Sequence, residues 1–148
     1  MWTAALATAV CMLASVALHL LVLRELWRLG RARLHWLRGL GIAAMVLVCL
    51  GAHIVEIAIF ALGLFIGAAL DGDIALALEG WRHTHLDLWY YSATFYTSLG
   101  GERPPVPGVR LFVACEALTG LILITWTASF LFLLMQQAWG QETPNHGR

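Results

Sequence analysis

Lysine is absent from this chain: all nine basic side chains are arginine. GC-rich coding accounts for that without any physical role. Charge of either sign is scarce, 12% of 148 residues, where soluble domains carry about 25%. The formal net charge is zero and there is no basic tail, so no nucleic-acid partner is expected. Cysteine is scarce too. Cys11, Cys49 and Cys115 each lie inside an apolar run without CxxC spacing, so they read as small buried hydrophobes and imply no disulfide framework. No internal repeat is visible. The chain leaves no room for a separate catalytic or ligand-sensing domain.

What the sequence has in abundance is hydrophobic residues, 60% of the total. Crossing a ~30 Å hydrocarbon core takes about 20 consecutive apolar residues. Residues 1–23 form a first such run. Its basic residues follow it rather than precede it and no cleavage site is convincing, so it reads as a retained helix rather than a signal peptide. Residues 24–38 hold Arg24, Arg28, Arg31, Arg33 and Arg38 with Trp27 and Trp36 interleaved. That pattern suits a cytoplasmic interface with aromatic anchors, or an anionic-lipid site. A second span is predicted over 39–70, long enough to tilt or project, and Asp71-Gly72-Asp73 stops it. Residues 71–87 are expected outside the membrane as a turret-like loop. A helix over 86–97 is too short to cross. A turn and the Pro-rich 103–108 follow, then a third span over 109–139 and a polar tail.

Placing the basic connector inside gives an outside amino terminus and a cytoplasmic carboxyl terminus. The cell membrane, crossed several times, is the expected location. The fold class expected is all-α integral membrane, three transmembrane helices with a re-entrant pore helix and filter loop between the second and third. The domain division expected is a helix and connector over 1–38, a pore domain over 39–139 and a tail over 140–148.

Between the last two spans lies Tyr90-Tyr91-Ser92-Ala93-Thr94-Phe95-Tyr96-Thr97-Ser98-Leu99-Gly100-Gly101-Glu102. Irregular backbone at membrane depth is tolerated only where it is buried in protein or lines a watery cavity. Ion selectivity needs carbonyl oxygens that replace hydration water, glycines that allow φ > 0, and a helix whose carboxyl end faces the cation. The stretch resembles the pore loop of the two-transmembrane potassium-channel superfamily, in particular small bacterial members with an extra leading helix. Against the filter Thr-Val-Gly-Tyr-Gly-Asp, Ser98 takes the Thr place, Leu99 the aliphatic place, Gly100 and Gly101 the two glycines and Glu102 the acid. The Tyr between the glycines is missing, which removes one carbonyl and one bracing ring per subunit.

The resemblance implies a selectivity filter from Thr97 to Glu102, with Glu102 attracting cations at the mouth. It implies bracing by Tyr90, Tyr91, Ser92 and Thr94 on the pore helix, and an inner-helix hinge at Gly120, where close helix approach is the other reading. It also implies passive conduction of monovalent cations through a homotetramer in membrane lipid, without a cofactor, a metal or enzymatic activity. The alternative is a structural or regulatory membrane protein on a pore-loop scaffold that does not conduct.

Ionisable residues fall inside the spans, among them His53, Glu56 and Glu116. Such groups usually face protein or water. His53 and Glu56, three apart, share a helix face and read as a packed polar pair, a proton-sensitive gate or half of a metal site. Glu116 is expected near the outer mouth or paired with Thr94. His19 reads as a helix-packing contact. His83, His85 and Asp87 alternate before the short helix and read as a solvated flank. A membrane metalloenzyme built on His53, Glu56, His83, His85 and Glu116 is a third, more distant reading.

Overall fold

A computed structural model describes residues 2–32, 40–77, 85–101, 104 and 106–140. All regular structure among them is helical: α1 (Trp2–Ala32), α2 (Leu40–Leu70), α3 (Gly72–Ala77), α4 (His85–Tyr96) and α5 (Pro107–Gly140). Three stretches are long and apolar enough to cross a membrane, Trp2–Gly30, Leu40–Leu70 and Pro107–Gln137, with mean hydropathy 2.3, 2.4 and 2.0. A helix satisfies its own backbone polar groups in lipid, so such segments form this element and no other open one.

The boundaries follow local chemistry. α1 continues well past Arg24, because Leu23 and Leu26 keep its apolar face buried and Arg28 reaches back to Glu25 at 3.1 Å. α2 ends where Asp71 begins: its N–H still donates to Gly67 O at 3.0 Å, while its carbonyl accepts from Ala75 N at 3.0 Å. Asp71 thus closes one helix and opens the next. The first described part of the expected turret loop is therefore the short helix α3, with Ile74 buried in one cluster with Ala68 and Leu64, and its last three residues begin α4. α5 starts on Pro107, whose missing N–H costs nothing at a first helical position.

The long helices alternate in direction. Thr3 Oγ1 lies 3.5 Å from Asp71 Oδ2, and a Cβ on Gly108 would sit 3.2 Å from Ala4 Cβ. The start of α1, the end of α2 and the start of α5 therefore share one end of the bundle. Leu23, Leu26, Met45, Cys49 and Leu134 pack together at the other end. Near the first end a larger apolar layer gathers Cys11, Phe60, Leu64, Tyr91, Phe112 and Val113. Gly63 lets the three long helices converge there, since a Cβ on it would meet Cys11 Sγ at 2.5 Å and Phe112 Cζ at 3.0 Å.

Between the two apolar layers lies a polar one. Ser15, His19, Glu56, Ser92, Glu116, Thr119 and Thr127 are all buried in it. Only 28%, 39% and 33% of the apolar windows of α1, α2 and α5 are covered by the chain itself. The bundle is apolar outside and polar at its middle, the reverse of a soluble domain.

Candidate functional site

The short helix α4 carries the site. It packs against both α2 and α5 and spans 12 residues, or about 18 Å. Its first turn holds Leu88 in the apolar layer with Leu64 and Phe112. One turn on, the Ser92 hydroxyl lies 3.1 Å from Ile57 O on α2 and makes a very short contact with Glu116 Oε1 on α5. At its end, the Tyr96 hydroxyl donates to Glu56 Oε2 on α2, while the Tyr96 carbonyl presses on Gly120 of α5 so closely that no Cβ fits there. From Leu88 to Tyr96, then, α4 runs from one end of the bundle to the middle of α2 and α5. By Pro104 the chain is beside α5 again, with Arg110 Nε donating to Pro104 O at 2.7 Å.

Glu56 is the hub of the polar layer and is fully buried. His19 Nδ1 of α1 lies 2.9 Å from its Oε1, and His53 Nδ1 lies 2.9 Å from its Oε2. His53 Nδ1 is also 3.0 Å from the Tyr96 oxygen. On the far side of both rings stands Thr127 of α5, whose Oγ1 is 3.0 Å from His53 Nε2 and 3.3 Å from His19 Nε2. α1, α2 and α4 thus meet on one carboxylate, and α5 joins them through Thr127 on the two rings. Trp126 covers His19, ring centroids 5.7 Å apart.

Glu116 forms a second buried centre. One of its carboxylate oxygens meets Ser92; the other has no partner among the described residues.

After Tyr96 the backbone makes a tight turn. Ser98 N donates to Phe95 O at 2.9 Å and Gly100 N to Thr94 O at 2.8 Å, which satisfies the last carbonyls of α4. Ser98 has φ 59° and Gly100 φ 77°, the left-handed region that glycine enters without strain. Thr97, Ser98, Leu99, Gly100 and Gly101 are all exposed. Leu99 is 78% exposed, although it is apolar.

Several expectations meet their positions here. Tyr91 and Ser92 are buried, whereas Tyr90 is 58% exposed. The Thr94 hydroxyl donates to Tyr91 O at 2.8 Å, and Glu116 pairs with Ser92 instead. α5 runs through Gly120 as one helix; close approach of α4 explains that glycine. His53 and Glu56 do form a pair, but within a larger group. Of the scattered residues grouped as a metalloenzyme, His53 and Glu56 come together while Glu116 bonds elsewhere. Glu102 and His83, and the side chain of His85, lie outside the described residues.

Sequence reasoning missed His19 and Tyr96 as partners of Glu56, and Thr127 as the partner of both imidazoles. Heptad-like spacing cannot find them, since His19 and Thr127 are 37 and 71 positions from Glu56 in the numbering. The one available signal was polarity at mid-span in each long helix. No protein-family model, no curated protein and no solved structure matches the chain.

Proposed function

We propose that this protein is a cation-conducting membrane channel of the potassium-channel-like kind. In this reading four copies surround an axis lined by residues 97–101, with the amino terminus outside the cell membrane and the carboxyl terminus in the cytoplasm. The observation that carries it is the seating of α4. Ser92 bonds Ile57 on α2 and Glu116 on α5, and Tyr96 bonds Glu56 on α2, so the carboxyl end of α4, which carries partial negative charge, stops at mid-bundle beside an exposed Ser-Leu-Gly-Gly turn. A single chain leaves that turn uncovered. Copies around an axis would cover Leu99 and bring its carbonyls together, as a selectivity filter requires.

A specific observation favours a second reading, a structural or regulatory protein on the same scaffold that does not conduct. Gly100 N is tied back to Thr94 O, so the segment is folded as a helix cap and is not an extended file of carbonyls. One experiment separates the two. Purified protein in liposomes is assayed for K⁺ and Na⁺ flux beside Gly100→Ala. A Cβ at position 100 meets nothing within 4 Å, so the substitution acts on backbone conformation alone. Channel function predicts cation flux in the wild type that Gly100→Ala abolishes. Wild-type liposomes as tight as empty ones would establish the non-conducting reading.

A further inference from the structure

The hub of the bundle has the donor set of a metal centre. His19, His53 and Glu56 each offer one ligand atom, and these atoms lie within 4.8 Å of one another. The three come from two different helices and are buried or nearly so, His53 being 14% exposed and the other two at most 1%.

The hydrogen-bond pattern around the rings accommodates an ion. Thr127 Oγ1 faces the Nε2 atoms of both rings, at 3.0 Å and 3.3 Å. A hydroxyl oxygen has two lone pairs and a single proton, so it satisfies both rings in either of two ways: accepting Nε2–H from each, or donating to one ring and accepting from the other. The first arrangement, the one a metal requires, turns both Nδ1 lone pairs toward Glu56, 2.9 Å from its two carboxylate oxygens. Lone pairs facing a carboxylate at that distance repel unless a cation stands between them. Metal-bound histidines are held by the same device, the outer ring N–H donating to a fixed oxygen. The Tyr96 oxygen, 3.0 Å from His53 Nδ1, stands where a fourth ligand is needed.

We infer that His19, His53 and Glu56, with Tyr96 as a fourth donor, form a transition-metal site that fastens α1 to α2 and α4 in the middle of the bundle. Tetrahedral Zn²⁺ with bonds of about 2.0–2.1 Å sets its ligands about 3.3 Å apart, so each Nδ1 moves off its Glu56 oxygen from 2.9 Å to admit the ion. Two imidazoles with one carboxylate select Zn²⁺, Co²⁺, Ni²⁺ or Cu²⁺ over the hard ions Mg²⁺ and Ca²⁺. The site stands independently of any conducting role, because none of its ligands lies in the 97–101 turn. The proton is the competing occupant.

The test uses full-length protein purified in detergent with a tag that contains no histidine. The protein is stripped with a chelator and titrated with Co²⁺, whose visible ligand-field bands are intense when it is tetrahedral. The site predicts saturation at one Co²⁺ per chain, displacement by Zn²⁺, and loss of the bands in His19→Ala and in His53→Ala. His53→Cys, which supplies a thiolate ligand, keeps stoichiometric binding and shows that loss in the alanine variant is not misfolding. Thr127→Val weakens affinity about 10–100-fold, the usual effect of removing an outer partner. A wild-type protein that shows no tetrahedral Co²⁺ bands overturns the inference. So does binding that survives both alanine substitutions, which would place the ion on other residues.

Discussion

At the residue scale, two glycines of ordinary appearance carry opposite expectations. Gly120 touches the Tyr96 carbonyl so closely that a methyl group cannot be accommodated. Gly120→Ala should therefore destabilise the bundle by about 1–3 kcal/mol, the usual cost of overpacking, as read by thermal unfolding in detergent. Gly51 has nothing within 4 Å of its would-be Cβ, so Gly51→Ala should stabilise α2 by about 0.5–1 kcal/mol. Equal effects of the two substitutions would show that α4 does not rest on α5. Tyr96→Phe removes the hydroxyl that donates to Glu56 and should cost about 1.5–3 kcal/mol, the range for a hydrogen bond to a charged group. This much of the site was only half legible. The i,i+3 relation of His53 and Glu56 is printed in the sequence, but a lone histidine on α1 or a lone threonine on α5 carries no mark of its partner until the helices are packed.

At the scale of elements, α4 is fastened at separate points, and their coupling is measurable. Ser92 joins α4 to Glu116, so Ser92→Ala and Glu116→Gln should be non-additive by about 0.5–3 kcal/mol in a double-mutant cycle. Independent effects would mean that the contact does not hold the helix. The hydropathy pattern located α2 to within a residue and predicted α4 closely, because charge, glycine and proline punctuate both. It failed at the end of α1, where Arg24 and Glu25 look like a terminus. A helix continues through exposed charges as long as one face stays apolar, and Leu23 and Leu26 keep that face. It failed again at Gly72–Ala77, where Ile74 finds a packing partner that no local pattern reveals.

At the scale of the molecule, lipid covers apolar surface on a membrane bundle, and the proposed channel reading adds further copies around the exposed turn. Leu99, Leu118, Leu121 and Ile122 are all more than half exposed in the single chain. The mass of the protein in native-like detergent should be that of a homotetramer, and membranes that yield only monomers on crosslinking would remove the channel reading. The polar middle layer also bears on how such a chain enters a bilayer. A charged residue at mid-span opposes insertion by about 2.5–3.5 kcal/mol, yet each buried acid here is translated after a residue that will bond it. His19 is already made when Glu56 leaves the ribosome, and Ser92 when Glu116 does. Vectorial synthesis thus delivers every difficult carboxylate to a waiting neighbour, and a chain shorn of its leading helix would have to insert Glu56 without one of the two imidazoles that receive it.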